Sequence, residues 1–147
     1  MTIIVSDYQT LHAPFGNEES IARVRYDFSK DAGTAGAFSL FEADGDIVIT
    51  DFFVNVLTAF DSAGDAAVID IGITGGDTDA LVQDAGQARF ALGSFVKADA
   101  CLEGGSGEVR NLPLKVADNA VVAMVVKTAA LTAGKCDFFF KYVRLAR

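Results

Sequence analysis

The sequence predicts an all-β protein, an eight-stranded antiparallel β-sandwich or jelly roll with one short helical turn and an N-terminal arm. Three observations predict this fold class: apolar and polar residues alternate along many short runs, glycine-rich turns separate most of these runs, and helical periodicity is almost absent. The 147 residues suffice for one domain. We place that β-domain at residues 21–147, after an arm of residues 1–20.

The individual elements follow from local patterns. Val24, Tyr26 and Phe28 alternate with charged residues, as in a strand with one buried face. Asp77 or Thr78 is a predicted N-cap for a helical turn over residues 79–84. Sustained alternation is missing near the N-terminus, which predicts the arm. The eight predicted strands cover residues 23–28, 36–41, 47–60, 68–74, 89–97, 108–116, 120–128 and 136–145.

Two of the predicted strands, 47–60 and 136–145, are apolar on both faces. In the first, Val48, Phe52, Val54, Val56 and Phe60 share one face, and mostly apolar residues occupy the other. Such a strand is either covered on both sides within the monomer or contacted by a second subunit. We expect a homo-oligomeric contact through the second faces of these strands, formed by Ile47, Ile49, Phe53, Leu57, Phe139 and Val143.

Charge is unevenly distributed along the chain. Residues 31–88 contain eleven acidic and no basic residues, whereas residues 89–147 contain nine basic and five acidic ones. The two parts either interleave within one fold or form complementary faces that meet between subunits. The formal net charge of −8 argues against nucleic acid as a partner, because binding to phosphates requires clustered lysine and arginine.

Membrane and secretion signals are not apparent. The longest segments without a charged residue have ten residues, 8–17 and 32–41, whereas a membrane helix needs about 20 apolar residues. The N-terminal sequence MTIIVSDYQT has no basic and apolar secretory signal. We therefore expect synthesis in the cytoplasm.

The sequence offers little for catalysis. Its one histidine, His12, falls in the predicted arm, which disfavours a cupin-like metal centre or a Ser/His/Asp triad. Residues 61–65 and 77–79 could offer oxygen ligands to Ca²⁺ but lack the EF-hand pattern, so turn and capping roles are favoured. Cys101 and Cys136 fit no metal or redox motif and are predicted to be buried thiols. We expect neither enzymatic activity nor a cofactor.

Several segments together resemble the small capsid decoration (cement) proteins of tailed phages. They are ITDFFVNVLTAF at 49–60, AAVIDIG at 66–72, DTDAL at 77–81, LTAGK at 131–135 and FFFKYV at 138–143. The resemblance spans roughly residues 21–146, and its motifs are packing and turn motifs of moderate specificity. It implies a jelly-roll protein, usually trimeric, that sits on the outer surface of a phage head and clamps neighbouring major capsid proteins.

The resemblance therefore implies a virion structural protein whose partners are further copies of itself and the major capsid protein. We expect the arm to contact the capsid through His12, Pro14 and Phe15, although the arm itself has no counterpart in the resemblance. The alternatives are a head-fibre or receptor-binding module that recognises host glycan through loops 61–65 and 75–79, and a metal-assisted sandwich enzyme that uses His12.

Overall fold

The computed structural model describes residues 2–12, 19–92, 95–97 and 112–145, and this part of the chain contains ten strands. One α-helical turn, α1 (Phe28–Asp31), follows the second strand, and two 3₁₀ turns cover Ala63–Asp65 and Gln87–Phe90. The strands are β1 (Thr2–His12), β2 (Ser20–Asp27), β3 (Gly36–Asp44), β4 (Ile47–Ser62), β5 (Val68–Ile73), β6 (Val82–Gly86), β7 (Phe95–Lys97), β8 (Leu114–Val116), β9 (Val121–Lys127) and β10 (Leu131–Arg144).

These strands form two packed sheets, which confirms the predicted β-sandwich. The first sheet has the strand order β1-β3-β9-β5-β6, and the second has the order β2-β10-β4-β7 with β8 also paired to β4. Every pair is antiparallel except β1 with β3, which is parallel. The sandwich thus differs from the prediction in having ten strands rather than eight and one parallel pair.

The hydrophobic core lies between the sheets and is filled by aromatic side chains from both. The rings of Phe41 on β3 and Phe140 on β10 meet edge to face, with centroids 4.8 Å apart. Phe52 on β4 lies 5.1 Å from the same Phe140 ring. Tyr26 on β2 meets Phe38 of β3 edge to face across the core. All five of these side chains are fully buried, so apolar burial holds the two sheets together.

Residues 2–12 form a strand of the sandwich, which corrects the predicted arm of residues 1–20 over this range. β1 pairs with β3 in two short ladders, with Leu11 opposite Ala43 in the second. Between the ladders β1 advances five residues while β3 advances two. The extra residues of β1 interrupt the alternation of apolar and polar side chains in this part of the sequence. Residues 13–18 lie outside the described residues.

The predicted helical turn over residues 79–84 is instead a turn followed by β6. The backbone N–H of Leu81 donates to the carbonyl of Ile71 at 2.9 Å, and β6 then pairs with β5. These backbone groups therefore form hydrogen bonds with β5 instead of the bonds that they would make within a helix. Asp77 and Thr78 accordingly do not cap a helix. The predicted strand 89–97 is likewise replaced, by a 3₁₀ turn that ends at Phe90 and by the short β7.

A β-bulge in β4 reverses which side chains face the core. β10 advances one residue, from Lys141 to Tyr142, while its partners in β4 advance two, from Asp51 to Ile49, so Thr50 is the extra residue. Because one inserted residue moves the following side chains to the opposite face, the odd-numbered residues before the bulge and the even-numbered residues from Phe52 to Val56 after it point inward. The single alternation predicted along residues 47–60 is therefore wrong at its start.

Thr128 adopts a strained backbone conformation in the turn between β9 and β10. Its φ is +73°, and the N–H of Ala129 donates to the carbonyl of Lys127 at 2.8 Å, which closes a γ-turn around it. This conformation costs a β-branched residue about 1–2 kcal/mol, and glycine avoids that cost.

We expect Thr128→Gly to raise the free energy of unfolding by roughly 0.5–1 kcal/mol, because the relieved strain exceeds the added flexibility of the unfolded chain. Equilibrium urea unfolding measures this difference. Thr132→Gly, at an exposed position of β10 that is not among the residues with positive φ, is the control and should lower stability. A loss of stability in Thr128→Gly would contradict the assigned strain.

Candidate interaction surface

The outer face of the second sheet carries a band of apolar side chains on three neighbouring strands. On the central strand β10, Phe139 lies opposite Phe53 of β4 and Arg23 of β2. The two phenylalanine rings stack with centroids 4.9 Å apart and planes inclined by 21°. Both side chains are half-buried, so part of each ring remains open to solvent. The stack forms the centre of this face.

Further apolar and charged residues surround the stack. Ile21 is 62% exposed at the edge strand β2, and Leu57 of β4 is 36% exposed. Lys141 lies between Ile21 and Asp51 in the register of the three strands. An apolar centre within a charged rim is the usual composition of a protein interface. This face is therefore the candidate interaction surface.

A partly buried ion pair lies at the charged side of this face. Arg25 on β2 donates from Nε to Asp137 Oδ1 at 2.7 Å and from Nη2 to Oδ2 at 2.9 Å. The hydrogen bonds to Asp137, which is only 5% exposed, raise the pKa of Arg25. Arg23 lies farther away, with its Nη1 4.0 Å from Asp137 Oδ2 and its side chain 54% exposed. Of the two guanidinium groups, Arg23 is thus the one more accessible to a binding partner.

An open cleft of about 250 Å³ lies where the edges of β1 and β2 meet. Asp7 accepts a hydrogen bond from the backbone N–H of Arg25 at 2.7 Å, and Asp31 of α1 accepts one from the N–H of Asp27 at 2.9 Å. These bonds occupy the free edge of β2, which protects it from pairing with a foreign strand. The cleft, called the β1–β2 cleft below, is lined by Ser6, Asp7, Arg23, Arg25, Asp27 and Lys30.

Four of the six residues predicted to form an oligomer contact lie together on the outer face of the second sheet. They are Phe53 and Leu57 on β4 and Phe139 and Val143 on β10. The common face of Phe53, Phe139 and Val143 follows from alternation, which is regular in β10 and over residues 52–56 of β4. Leu57 is the extra residue at a second register shift, where β4 passes from Val56 to Thr58 while β10 advances by one residue. The structure brings these four into one surface.

Ile47 and Ile49 are a correction to that prediction. Both side chains are 0% exposed and belong to the hydrophobic core. The bulge at Thr50 turns them inward, so they have no surface to offer to a partner. Ile21 takes their place on the outer face. It escaped prediction because the predicted strand began at residue 23, although extending the alternation of Arg23 and Arg25 backwards would have found it.

The three predicted capsid-contact residues lie in or next to the undescribed segment 13–18. The backbone of His12 is the last residue of β1 and lies opposite Asp44 of β3. Pro14 and Phe15 lie outside the described residues.

A charge cluster supports the outer face of the first sheet. Lys127 Nζ lies 2.6 Å from Asp70 Oδ2 and also donates to Asp84. Burial alone would lower the pKa of Lys127, but hydrogen bonds to the two carboxylates outweigh it and raise the pKa. The lysine therefore stays protonated and acts as an ionic link between β9, β5 and β6 rather than as a nucleophile.

Other chemical features of the described residues are few. In the ranges that the structure describes, no group of three or more His, Cys, Asp or Glu side chains could hold a metal ion. No helix within the same ranges is long and apolar enough to cross a membrane. Cys136 is a buried free thiol, as predicted for this residue, and burial raises its pKa. Cys101 lies outside the described residues.

Comparison with known proteins identifies the class of fold. No protein family is matched by the sequence, and no curated protein is detectably similar to it. Solved structures do share the fold. A chain in the capsid of Ralstonia phage GP4 matches with a TM-score of 0.57 and 16% identity, over 94% of this chain and 99% of that one.

Two further structures match in the same way. A chain in the cyanophage Pam1 capsid asymmetric unit has a TM-score of 0.57 and 16% identity, with 90% of this chain and 89% of that one covered. A chain in the acid-stable capsid of Helicobacter pylori bacteriophage KHP30 has a TM-score of 0.51 and 13% identity, with 84% and 86% covered. At this low identity the likeness defines a shared fold.

Proposed function

We propose that this chain is a structural protein of a bacteriophage capsid that decorates the outer surface of the head and stabilises contacts between major capsid proteins. The observation that carries the proposal is the shared fold with chains of three phage capsids, over 84–94% of this chain. Between 86% and 99% of those chains is covered as well, so the likeness extends over whole chains rather than a fragment. The decoration role rests further on the cement-like strand motifs in the sequence.

The protein acts as a homotrimer in this proposal. Phe53, Leu57, Phe139 and Val143, joined by Ile21, form the contact surface between copies. Support comes from the stacked ring pair and from the exposure of Ile21 and Leu57 within a charged rim. Large apolar side chains at the centre of a surface usually contribute most of the binding free energy of an interface.

The end of β1 and the segment after it make the proposed contact with the major capsid protein. His12, Pro14 and Phe15 are assigned to it, with Phe15 as the apolar anchor. The proposed place of the protein is the capsid surface, after synthesis in the host cytoplasm. A surface position also suits the net charge of −8, which would be repelled by packaged DNA.

Heat treatment of phage heads tests the decoration role. We expect heads assembled without this protein to release DNA at a lower temperature than heads to which purified protein has been added back. The physical reason is that a ligand bound only to the intact head stabilises it by an amount that rises with the ligand concentration relative to its Kd. Release of DNA can be followed with a dye that binds exposed DNA.

The control is bovine serum albumin added at the same mass concentration. Equal release temperatures with and without the chain would contradict the decoration role. Binding to a glycan array together with unchanged head stability would favour the receptor-binding alternative.

A further inference from the structure

We propose that the β1–β2 cleft binds the acidic turn around Asp77 of a second copy of this chain, so that the copies join head to tail. The inference rests on the proposed homotrimer and names the complementary surfaces within it. Two groups carry it: the exposed cations of the cleft and an exposed carboxylate on an ordered turn at the far side of the molecule.

The cleft holds exposed cations in an acidic protein. Its lining includes three cations and two carboxylates. Both carboxylates already accept hydrogen bonds from backbone N–H groups, Asp7 from Arg25 and Asp27 from Ser29. Arg25 is held by Asp137, which leaves the exposed Arg23 and Lys30 to meet a carboxylate from outside. The cleft also continues into the apolar outer face, because Arg23 lies opposite Phe139.

The turn between β5 and β6 displays Asp77 in a fixed position. The Asp77 carbonyl accepts hydrogen bonds from Ile73 N–H at 2.8 Å and Ala80 N–H at 3.3 Å. The turn also packs tightly on β5, since a Cβ atom at Gly72 would lie 2.3 Å from the Asp77 carbonyl oxygen. The Asp77 side chain is exposed and has no hydrogen bond or ion pair within the described part of the chain. Because the backbone of the turn is already ordered, binding it costs little backbone conformational entropy.

The two groups lie on opposite sides of the sandwich. β1 forms one edge of the first sheet, whereas β5 and β6 lie three and four strands away. At the usual strand spacing this separation is roughly 14–19 Å, so one copy cannot place its own Asp77 in its own cleft. Contacts between two different surfaces of identical copies close into rings when the rotation allows, and a trimer is such a ring.

Charge reversal tests this pairing. Arg23→Glu, Lys30→Glu and Asp77→Lys should each raise the concentration at which half of the chains are trimeric by about tenfold or more, because like charges then meet in the contact. The double variant Arg23→Glu with Asp77→Lys should restore self-association towards that of the wild type. Analytical ultracentrifugation over a concentration series measures all four, and circular dichroism checks that each variant is folded.

Lys115→Glu and Asp61→Lys are the matched controls, because both residues are exposed and lie in neither group. They should leave trimer formation unchanged. Failure of the double variant to recover would overturn the assignment of Asp77 as the occupant. Intact trimers in the single variants, with lost binding to phage heads, would mean that the cleft takes an acidic segment of a capsid protein, which also overturns the inference. In either case head binding by the wild type would leave the proposed capsid role standing.

Discussion

Replacement of Phe140 by alanine is expected to lower the free energy of unfolding by about 3–5 kcal/mol. The Phe140 side chain is 0% exposed, and its ring meets Phe41 of the opposite sheet and Phe52 of the adjacent strand. Truncation removes these contacts and leaves a cavity between two hydrogen-bonded sheets, which can move together only in part. The loss should therefore be a large fraction of the stability of a domain of this size.

Phe139→Ala is the matched control for this prediction. The residue is the same and the position differs by one, but the side chain lies on the outer face, so the expected loss is roughly 1 kcal/mol. Equilibrium urea unfolding of both variants, at concentrations low enough to keep the chain monomeric, measures the difference. Equal losses would contradict the assignment of the two rings to opposite faces of β10.

Phe139→Asp is expected to abolish self-association while the subunit stays folded. In the proposed interface the new carboxylate would be taken out of water at the apolar centre of the contact, which costs several kcal/mol even beside Arg23 on the neighbouring strand. It would also disrupt the ring stack with Phe53 at the centre of the surface. Size-exclusion chromatography with light scattering should show trimers for the wild type and monomers for the variant. Circular dichroism should show the same β-structure in both.

Thr132→Asp is the control, because Thr132 is an exposed residue near the start of the same strand and outside the apolar surface. It should leave the trimer intact. A Phe139→Asp variant that remains trimeric would place the contact between copies elsewhere on the molecule.

Local alternation predicted most of the sandwich because it reports directly on burial. The patterns around Val24, Ile69 and Phe138 each continue along a strand with one face in the core. β6 could not be predicted in this way. It has five residues, one of which, Asp84, has a φ of +50°, and it exists because its backbone pairs with β5 and because Asp84 and Asp70 share Lys127. These interactions join residues that are distant in sequence.

The candidate surface was predictable only where alternation is unbroken. Phe139 and Val143 follow from β10 alone, and Phe53 follows from the regular part of β4 beyond the bulge, whereas Leu57 lies at a second register shift between Val56 and Thr58. The bulge at Thr50 leaves no mark in the composition of β4, since both of its faces are apolar there. The β1–β2 cleft depends on which strands form the sheet edges, and that order is set by long-range pairing.

Binding of the purified chain to phage heads that lack it tests the capsid role most directly. After sedimentation, we expect the wild-type protein to pellet with the heads and to saturate at a fixed number of trimers per head, as a specific site on a symmetric shell requires. Protein that remains in the supernatant at every concentration, or that binds without saturating, would contradict the proposed role of this chain as a capsid decoration protein.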